Sequence, residues 1–222
     1  MMPLAAVFFD FDFTLAESTT ASVECINHAL VACGYPAAER EAIRRCIAFP
    51  LAEVLPRLTG VEDHAAIAQF AAIYRSRADQ VTAGLTQLFP SVYHALPQLR
   101  SQSLKTAIVS TKPRYRIESI LALREAGHLF DFIVGGEDVR NHKPDPEPLL
   151  RAMSRWSLAP QEVVYVGDHP VDAQAARDAE IPFIAMLTGT SRASDFEPFP
   201  THAQLHSLDD LPPILARLSH RL

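Results

Sequence analysis

Val7-Phe8-Phe9-Asp10-Phe11-Asp12-Phe13-Thr14-Leu15 begins as an apolar run that enters from Leu4 and stops at an aspartate. A second aspartate follows two residues later, then a threonine. An apolar run of this length suits a strand buried on both faces. A carboxylate ending it lies at the strand's carboxyl edge, where open α/β sheets bind their ligands. Acids at i and i+2 in strand geometry point the same way. Two carboxylates facing one cleft repel, and a cation is the usual remedy. The stretch points to metal-assisted chemistry with a carboxylate nucleophile, although a lone Asp-x-Asp more often ends a strand and starts a turn.

Outward from Leu15 the pattern changes period. Ser18, Thr19 or Thr20 is placed to cap a helix with help from Glu24, and Val23, Ile26, Ala29 and Leu30 fall at helical spacing. From Pro36 to Gln80 every periodic segment reads as helix, including the alanine-rich stretch from Ala65 to Ala78. The second half alternates. Strands are expected at 104–109, 130–134, 162–166 and 183–187, with a short edge strand at 203–205. Helices are expected at 90–99, 113–126, 146–156, 171–179 and 211–218. Alternation of this kind implies an α/β fold with a parallel sheet covered by helices. Its first strand is separated from the rest by the helical block. The expected organisation is therefore an α/β core of residues 1–15 and 84–222, interrupted by an all-helical insert at 16–83 that sits over the site. Thr188 to Pro200 reads as a surface loop.

Composition narrows the function. The chain has 222 residues, 48% hydrophobic and 21% charged, with a formal net charge of -6. That balance suits a globular protein and gives no electrostatic footprint for nucleic acid or an anionic membrane. No apolar run approaches the ~18 residues of a membrane span, and no signal peptide is read at the N-terminus. Cys25, Cys33 and Cys46 form no Cys-x-x-Cys pair, as expected of small thiols in a reducing cytoplasm. The nine histidines lack zinc-ligand spacing.

The polar residues at the expected strand ends form a set. They are Asp10 and Asp12, then Ser110-Thr111-Lys112, then His142-Lys143-Pro144-Asp145-Pro146, then Gly167-Asp168 with Asp172. Singly, each has a bland explanation as a cap or a surface charge. Together they supply a nucleophile, a second acid, a hydroxyl, a lysine and further carboxylates at one sheet edge, the parts needed for phosphoryl transfer.

Four motifs in this order, around a helical insert, resemble the haloacid dehalogenase (HAD) superfamily, in its phosphoglycolate phosphatase-like branch with a helical cap. They are Asp10-Phe11-Asp12-Phe13-Thr14-Leu15, Ile108-Val109-Ser110-Thr111-Lys112, Lys143-Pro144-Asp145-Pro146-Glu147-Pro148, and Gly167-Asp168-x-x-x-Asp172. The resemblance implies a HAD-like Rossmannoid core and a Mg²⁺-dependent phosphatase. Asp10 is then the nucleophile that forms an aspartyl-phosphate, and Asp12 the acid–base group serving both half-reactions. Ser110 and Lys143 complete the catalytic set, with Lys143 offsetting charge on Asp10 and the phosphate. Thr14, Ser110, Thr111 and Lys143 are the expected substrate-binding residues. Asp10, Asp12 through its backbone carbonyl, Asp168 and Asp172 are expected at the metal, with Asp172 completing or orienting the site. The implied partner is a small phosphorylated metabolite, handled by a cytoplasmic monomer or homodimer without nucleic acid or membrane. A phosphomutase of the β-phosphoglucomutase type and a non-catalytic phosphate-binding protein stay open as alternatives.

Phe13 departs from the family pattern, which places glycine there. An aromatic is expected to fit if its backbone stays at negative φ, and it then packs under the cap or lines the pocket. In relatives a cap loop selects the leaving group, and the resemblance places it here at Ile47-Ala48-Phe49-Pro50-Leu51, which has no charged side chain. Arg44, Arg45, Tyr74, Arg75 and Arg77 are read more readily as solvated helix faces than as substrate contacts. Trp156 is read as packing behind the core.

Overall fold

The computed structural model describes residues 4–47 and 49–218. Ala48, within the 47–51 stretch, lies outside the described residues. In chain order the elements are β1 (Ala6–Phe9), β2 (Ala16–Glu17), α1 (Thr19–Ala32), α2 (Arg40–Cys46), α3 (Leu51–Thr59), α4 (His64–Leu85) and β3 (Gln87–Leu88). Then follow α5 (Val92–Ser101), β4 (Lys105–Val109), α6 (Arg114–Leu123), β5 (Phe132–Val134), α7 (Glu147–Ser154) and β6 (Val163–Gly167). The chain continues through α8 (Pro170–Asp178), β7 (Phe183–Met186), β8 (Thr201–Leu205) and α9 (Leu211–Leu218). The two-residue strands β2 and β3, which pair with each other, were not expected from the sequence. The chain divides into two units, one of residues Glu17–Gln87 and one formed by the chain on either side.

The outer unit holds a six-stranded sheet in the order β5-β4-β1-β6-β7-β8. Every neighbouring pair is parallel. From β1 the chain builds outward to β4 and β5 on one side, then to β6, β7 and β8 on the other. The strand order therefore reverses at β1, the position where such sheets place their ligand. All four residues of β1 are buried, as its apolar run requires. Ala6, Phe8, Ala107, Val109, Val163, Tyr165 and Phe183 share one core with Leu149 and Met153 of α7 and Ala173 and Ala176 of α8. The alternate residues Val7, Phe9, Ile108, Val164, Val166 and Ile184 are equally buried, so both faces of the sheet are covered. Trp156 packs here as expected. Its ring meets Phe132 edge-on at 4.6 Å and lies 6.2 Å from Phe8.

The inner unit is helical apart from the strand residues at its two ends. Ile26 and Leu30 of α1, Ile43 of α2, Leu55 of α3 and Phe70 of α4 form its core. The Asn27 side-chain amide clamps Ala38, donating to its carbonyl at 3.2 Å and accepting from its N–H at 2.8 Å, which fixes the α1–α2 connection. Asp63 caps α4 by accepting from Ala66 N–H at 2.8 Å. The start of α1 differs from expectation. Glu17, not Ser18 or Thr20, accepts the Thr19 N–H at 3.1 Å, and Glu24 is instead paired with Arg77 of α4. Arg45 pairs with Glu41, and the Arg57 guanidinium lies 3.5 Å over the Phe49 ring. Arg45 and Arg77 thus have partners within their own unit. Cys25 and Cys46 are buried and Cys33 is half-buried, and none of the three is in a disulfide. Among the described residues, no helix is long and apolar enough to cross a membrane.

Candidate active site

The strand register assembles the site. Phe9 pairs with Ile108 of β4 and with Val166 of β6. One step further lie Asp10, Val109 and Gly167, and one more brings Ser110 and Asp168. The Asp10 N–H continues the ladder to Val166 O at 2.9 Å, so the carboxylate is carried by a rigid main chain. Lys143 comes from the loop after β5. That loop is shaped by Glu147, whose carboxylate accepts the N–H groups of Arg140 and Asn141, each at 2.9 Å. Those two bonds hold the Glu147 carboxyl below its usual range.

Lys143 is the hub. Its ammonium donates to Asp10 Oδ1 at 2.8 Å, to the Tyr165 hydroxyl at 2.8 Å and to Asp172 Oδ1. Three donors meet three acceptors, all buried. The Tyr165 hydroxyl in turn lies 3.1 Å from Val109 O and 3.2 Å from Asp172 Oδ1. The other oxygen of Asp172 accepts the His169 N–H at 3.1 Å. His169 itself caps α8, its Nδ1 accepting from Val171 N–H at 3.3 Å. In the sequence Tyr165 is one more residue of an apolar strand and Glu147 one more of a motif, and neither signals these contacts.

Asp10, Asp168 and Asp172 bring carboxylate oxygens within 4.8 Å of one another. Burial pushes the Asp10 carboxyl up to about 6; Lys143 opposes that and Asp172 adds to it. Burial, then Asp172 and Asp10, push Asp168 well above the carboxylate range. Burial disfavours the Lys143 ammonium, but Asp10 and Asp172 outweigh it and raise its pKa. One lysine therefore does not neutralise the cluster. Hard, buried carboxylate oxygens with excess negative charge suit a cation such as Mg²⁺. With both oxygens of Asp172 engaged, Asp10 and Asp168 are the carboxylates best placed to hold it.

The backbone is cut to fit these acids. A Cβ on Gly189 would lie 2.0 Å from Asp168 Oδ2, and one on Gly167 would lie 2.6 Å from the Asp172 Cβ. The Thr188 hydroxyl donates to Phe13 O, tying the loop after β7 to the turn after β1. The 188–200 segment is therefore not simply a surface loop. Its first two residues border the site and Phe196 is buried in the core. Gly189→Ala is expected to destabilise the protein by about 1–3 kcal/mol through overpacking. Urea unfolding midpoints compared with the parent check this.

Asp12 stands apart. β1 ends at Phe9 and the chain turns, so Asp10 and Asp12 do not share strand geometry as expected. The Asp12 carboxylate is gripped by Lys112, whose ammonium reaches Oδ1 at 2.7 Å and Oδ2 at 2.8 Å. Phe13 also differs from expectation. Its φ is 60°, in the left-handed region, and its ring is buried at 3% exposure. The turn demands this, with Phe13 N–H on Ala16 O at 2.7 Å and Leu15 N–H on Phe11 O at 2.9 Å. The backbone cost, roughly 1–2 kcal/mol, is offset by burying the ring. Thr14 is fully buried, its hydroxyl 3.4 Å from Asp168 Oδ1, so it supports the acid rather than facing solvent. Ser110 is buried beside Asp10's row, whereas Thr111 is exposed.

The family model for haloacid dehalogenase-like hydrolases matches residues 7–186. Sequence relatives include the phosphoglycolate phosphatase of Pseudomonas putida, 31% identical over 94% of this chain and 78% of that protein. Another is the plasmid phosphoglycolate phosphatase of Cupriavidus necator, 32% identical over 98% of this chain and 96% of that protein. A solved haloacid dehalogenase-like hydrolase from Bacteroides fragilis has a TM-score of 0.89 and 38% identity, covering 94% of this chain and 99% of its own. The chain belongs to the haloacid dehalogenase-like hydrolases and is an enzyme of their phosphoglycolate phosphatase-like branch.

Proposed function

We propose that the protein is a Mg²⁺-dependent phosphatase that hydrolyses a small phosphomonoester through an aspartyl-phosphate on Asp10. The observation that carries this reading is the buried Asp10–Lys143–Asp172 hub with Asp168 beside it, at the carboxyl end of the central strand. An Asp10 oxygen attacks phosphorus as the bond from phosphorus to the ester oxygen breaks. Asp12 gives its proton to that leaving oxygen. As a carboxylate it then takes a proton from the water that attacks the phosphoryl group, and Asp10 is released with inorganic phosphate. Lys143 offsets charge shared by Asp10 and the phosphate, and Ser110 with nearby backbone N–H groups holds phosphate oxygens. Asp10, Asp168 and the Asp12 backbone carbonyl would hold Mg²⁺, with Asp172 orienting the set. The ion supplies positive charge that offsets the carboxylates and the phosphate oxygens.

The test is phosphate release from a panel of small esters, with Mg²⁺ and with chelator. 2-Phosphoglycolate heads the panel because the relatives carry that name, and sugar phosphates follow. Release from at least one ester that stops with chelator and returns with Mg²⁺ is the expected result. Release unaffected by chelator would show that the enzyme does not depend on Mg²⁺.

A further inference from the structure

The hub uses one lysine, and the structure holds a second one at the acid–base group. Lys112 and Asp12 are 100 residues apart in sequence, yet the ammonium contacts both carboxylate oxygens, at 2.7 and 2.8 Å. Both side chains are largely shielded, at 13% and 22% exposure. An exposed pair of this kind would be incidental, but this lysine is aimed from a fixed base. The Lys112 carbonyl accepts the Gly136 N–H at 3.1 Å, and its N–H lies 3.4 Å from the Ser110 hydroxyl. The Phe11 ring flanks the ammonium, 5.6 Å from Nζ. Lys112 is thus anchored through β4 and the loop after β5, while Asp12 sits in a turn beyond the end of β1. A short carboxylate in a turn has several staggered positions, and proton transfer needs one of them held within reach of the leaving oxygen.

We propose that Lys112 is a positioning residue that holds the Asp12 carboxyl in place for proton transfer. The proposal rests on the reading of Asp12 as the acid–base group. In the first half-reaction the Asp12 O–H bond breaks as the O–H bond of the departing alcohol forms. The carboxylate that results is the species Lys112 grips on both oxygens, and it is the one needed to deprotonate water next. Lys112 touches neither phosphorus nor the leaving oxygen in this scheme.

The test compares kcat/KM for the best alkyl ester of the panel with that for p-nitrophenyl phosphate, whose leaving group needs no proton. Asp12→Asn is expected to lose about 10²–10⁴-fold on the alkyl ester. Lys112→Met is expected to lose at least about tenfold on the alkyl ester and under about threefold on p-nitrophenyl phosphate, with KM little changed. Lys112→Arg, which keeps two donors for the carboxylate, is expected to restore the alkyl ester to within about threefold of the parent. Thermal melting confirms that the variants are folded. Equal losses on both esters would make Lys112 structural and overturn the proposal, as would parental rates in Lys112→Met. A rise in KM alone would make it a substrate contact, which also overturns it. If Asp12→Asn discriminates between the esters and Lys112→Met does not, the Lys112 assignment alone falls. If Asp12→Asn does not discriminate, the acid role of Asp12 falls and takes the Lys112 assignment with it.

Discussion

Asp10→Asn is expected to remove phosphate release by at least about 10⁴-fold, because in the proposed mechanism the Asp10 carboxylate supplies the attacking oxygen. The protein is expected to stay folded. Asparagine keeps an oxygen for the Lys143 ammonium and removes a carboxylate that burial already disfavours. The pH dependence of stability follows from the same shift. The Asp10 carboxyl is pushed from 3.8 to about 6 in the folded protein, burial being the largest cause. The stability linked to its protonation is fully present below the unfolded value and lost as pH rises through about 6. Asparagine does not ionise, so without metal the variant's stability relative to the parent is expected to improve between about pH 5 and about pH 8. Urea unfolding at both pH values, with chelator present, checks the sign. A variant that becomes relatively less stable at the higher pH would contradict the charge balance assigned to the cluster.

Lys143→Met is the second large effect, and it combines instability with loss of activity. The ammonium is the shared partner of Asp10, Asp172 and the Tyr165 hydroxyl. Removing it leaves buried carboxylates facing one another. Breaking a buried ion pair from one side costs about 3–5 kcal/mol, and that range is expected in chelator. Phosphate release by the folded fraction is expected to fall by about 10²-fold or more, since charge at the transferring phosphate is no longer offset. Unfolding curves and kcat on one preparation separate the two losses. Near-parental stability together with near-parental kcat would show that Lys143 is not the hub.

The parts of this site that were legible in sequence are those carried by strand ends. An apolar run stopped by Asp10, and another leading to Gly167-Asp168, mark a sheet edge because burial on both faces leaves no other place for a carboxylate. Lys143 and Asp172 became readable through the order of the four motifs. What escaped depends on contacts between distant segments. Tyr165 looks like any apolar strand residue until the loop carrying Lys143 folds back onto its hydroxyl, 22 residues away in sequence. Lys112 lies inside a motif, but its partner is 100 residues upstream, and periodicity carries no such information. Gly189 and Thr188 read as loop residues in the sequence because their meaning is steric. Only the approach of Asp168 and Phe13 shows why a side chain is excluded at one and a hydroxyl is used at the other. The positive φ of Phe13 is not readable in the sequence because the turn's hydrogen bonds, not the residue's own preference, set it.

Covalent phosphoryl transfer to Asp10 is the step on which the proposed mechanism turns. The most direct measurement mixes the enzyme and Mg²⁺ with a ³²P-labelled ester that it hydrolyses, quenches in acid within one turnover, and maps the label by peptide. Label is expected on the peptide containing Asp10, released by hydroxylamine and absent in Asp10→Asn. Phosphate release by the parent enzyme without protein-bound label at any quench time, and with Asp10→Asn still active, would contradict that step.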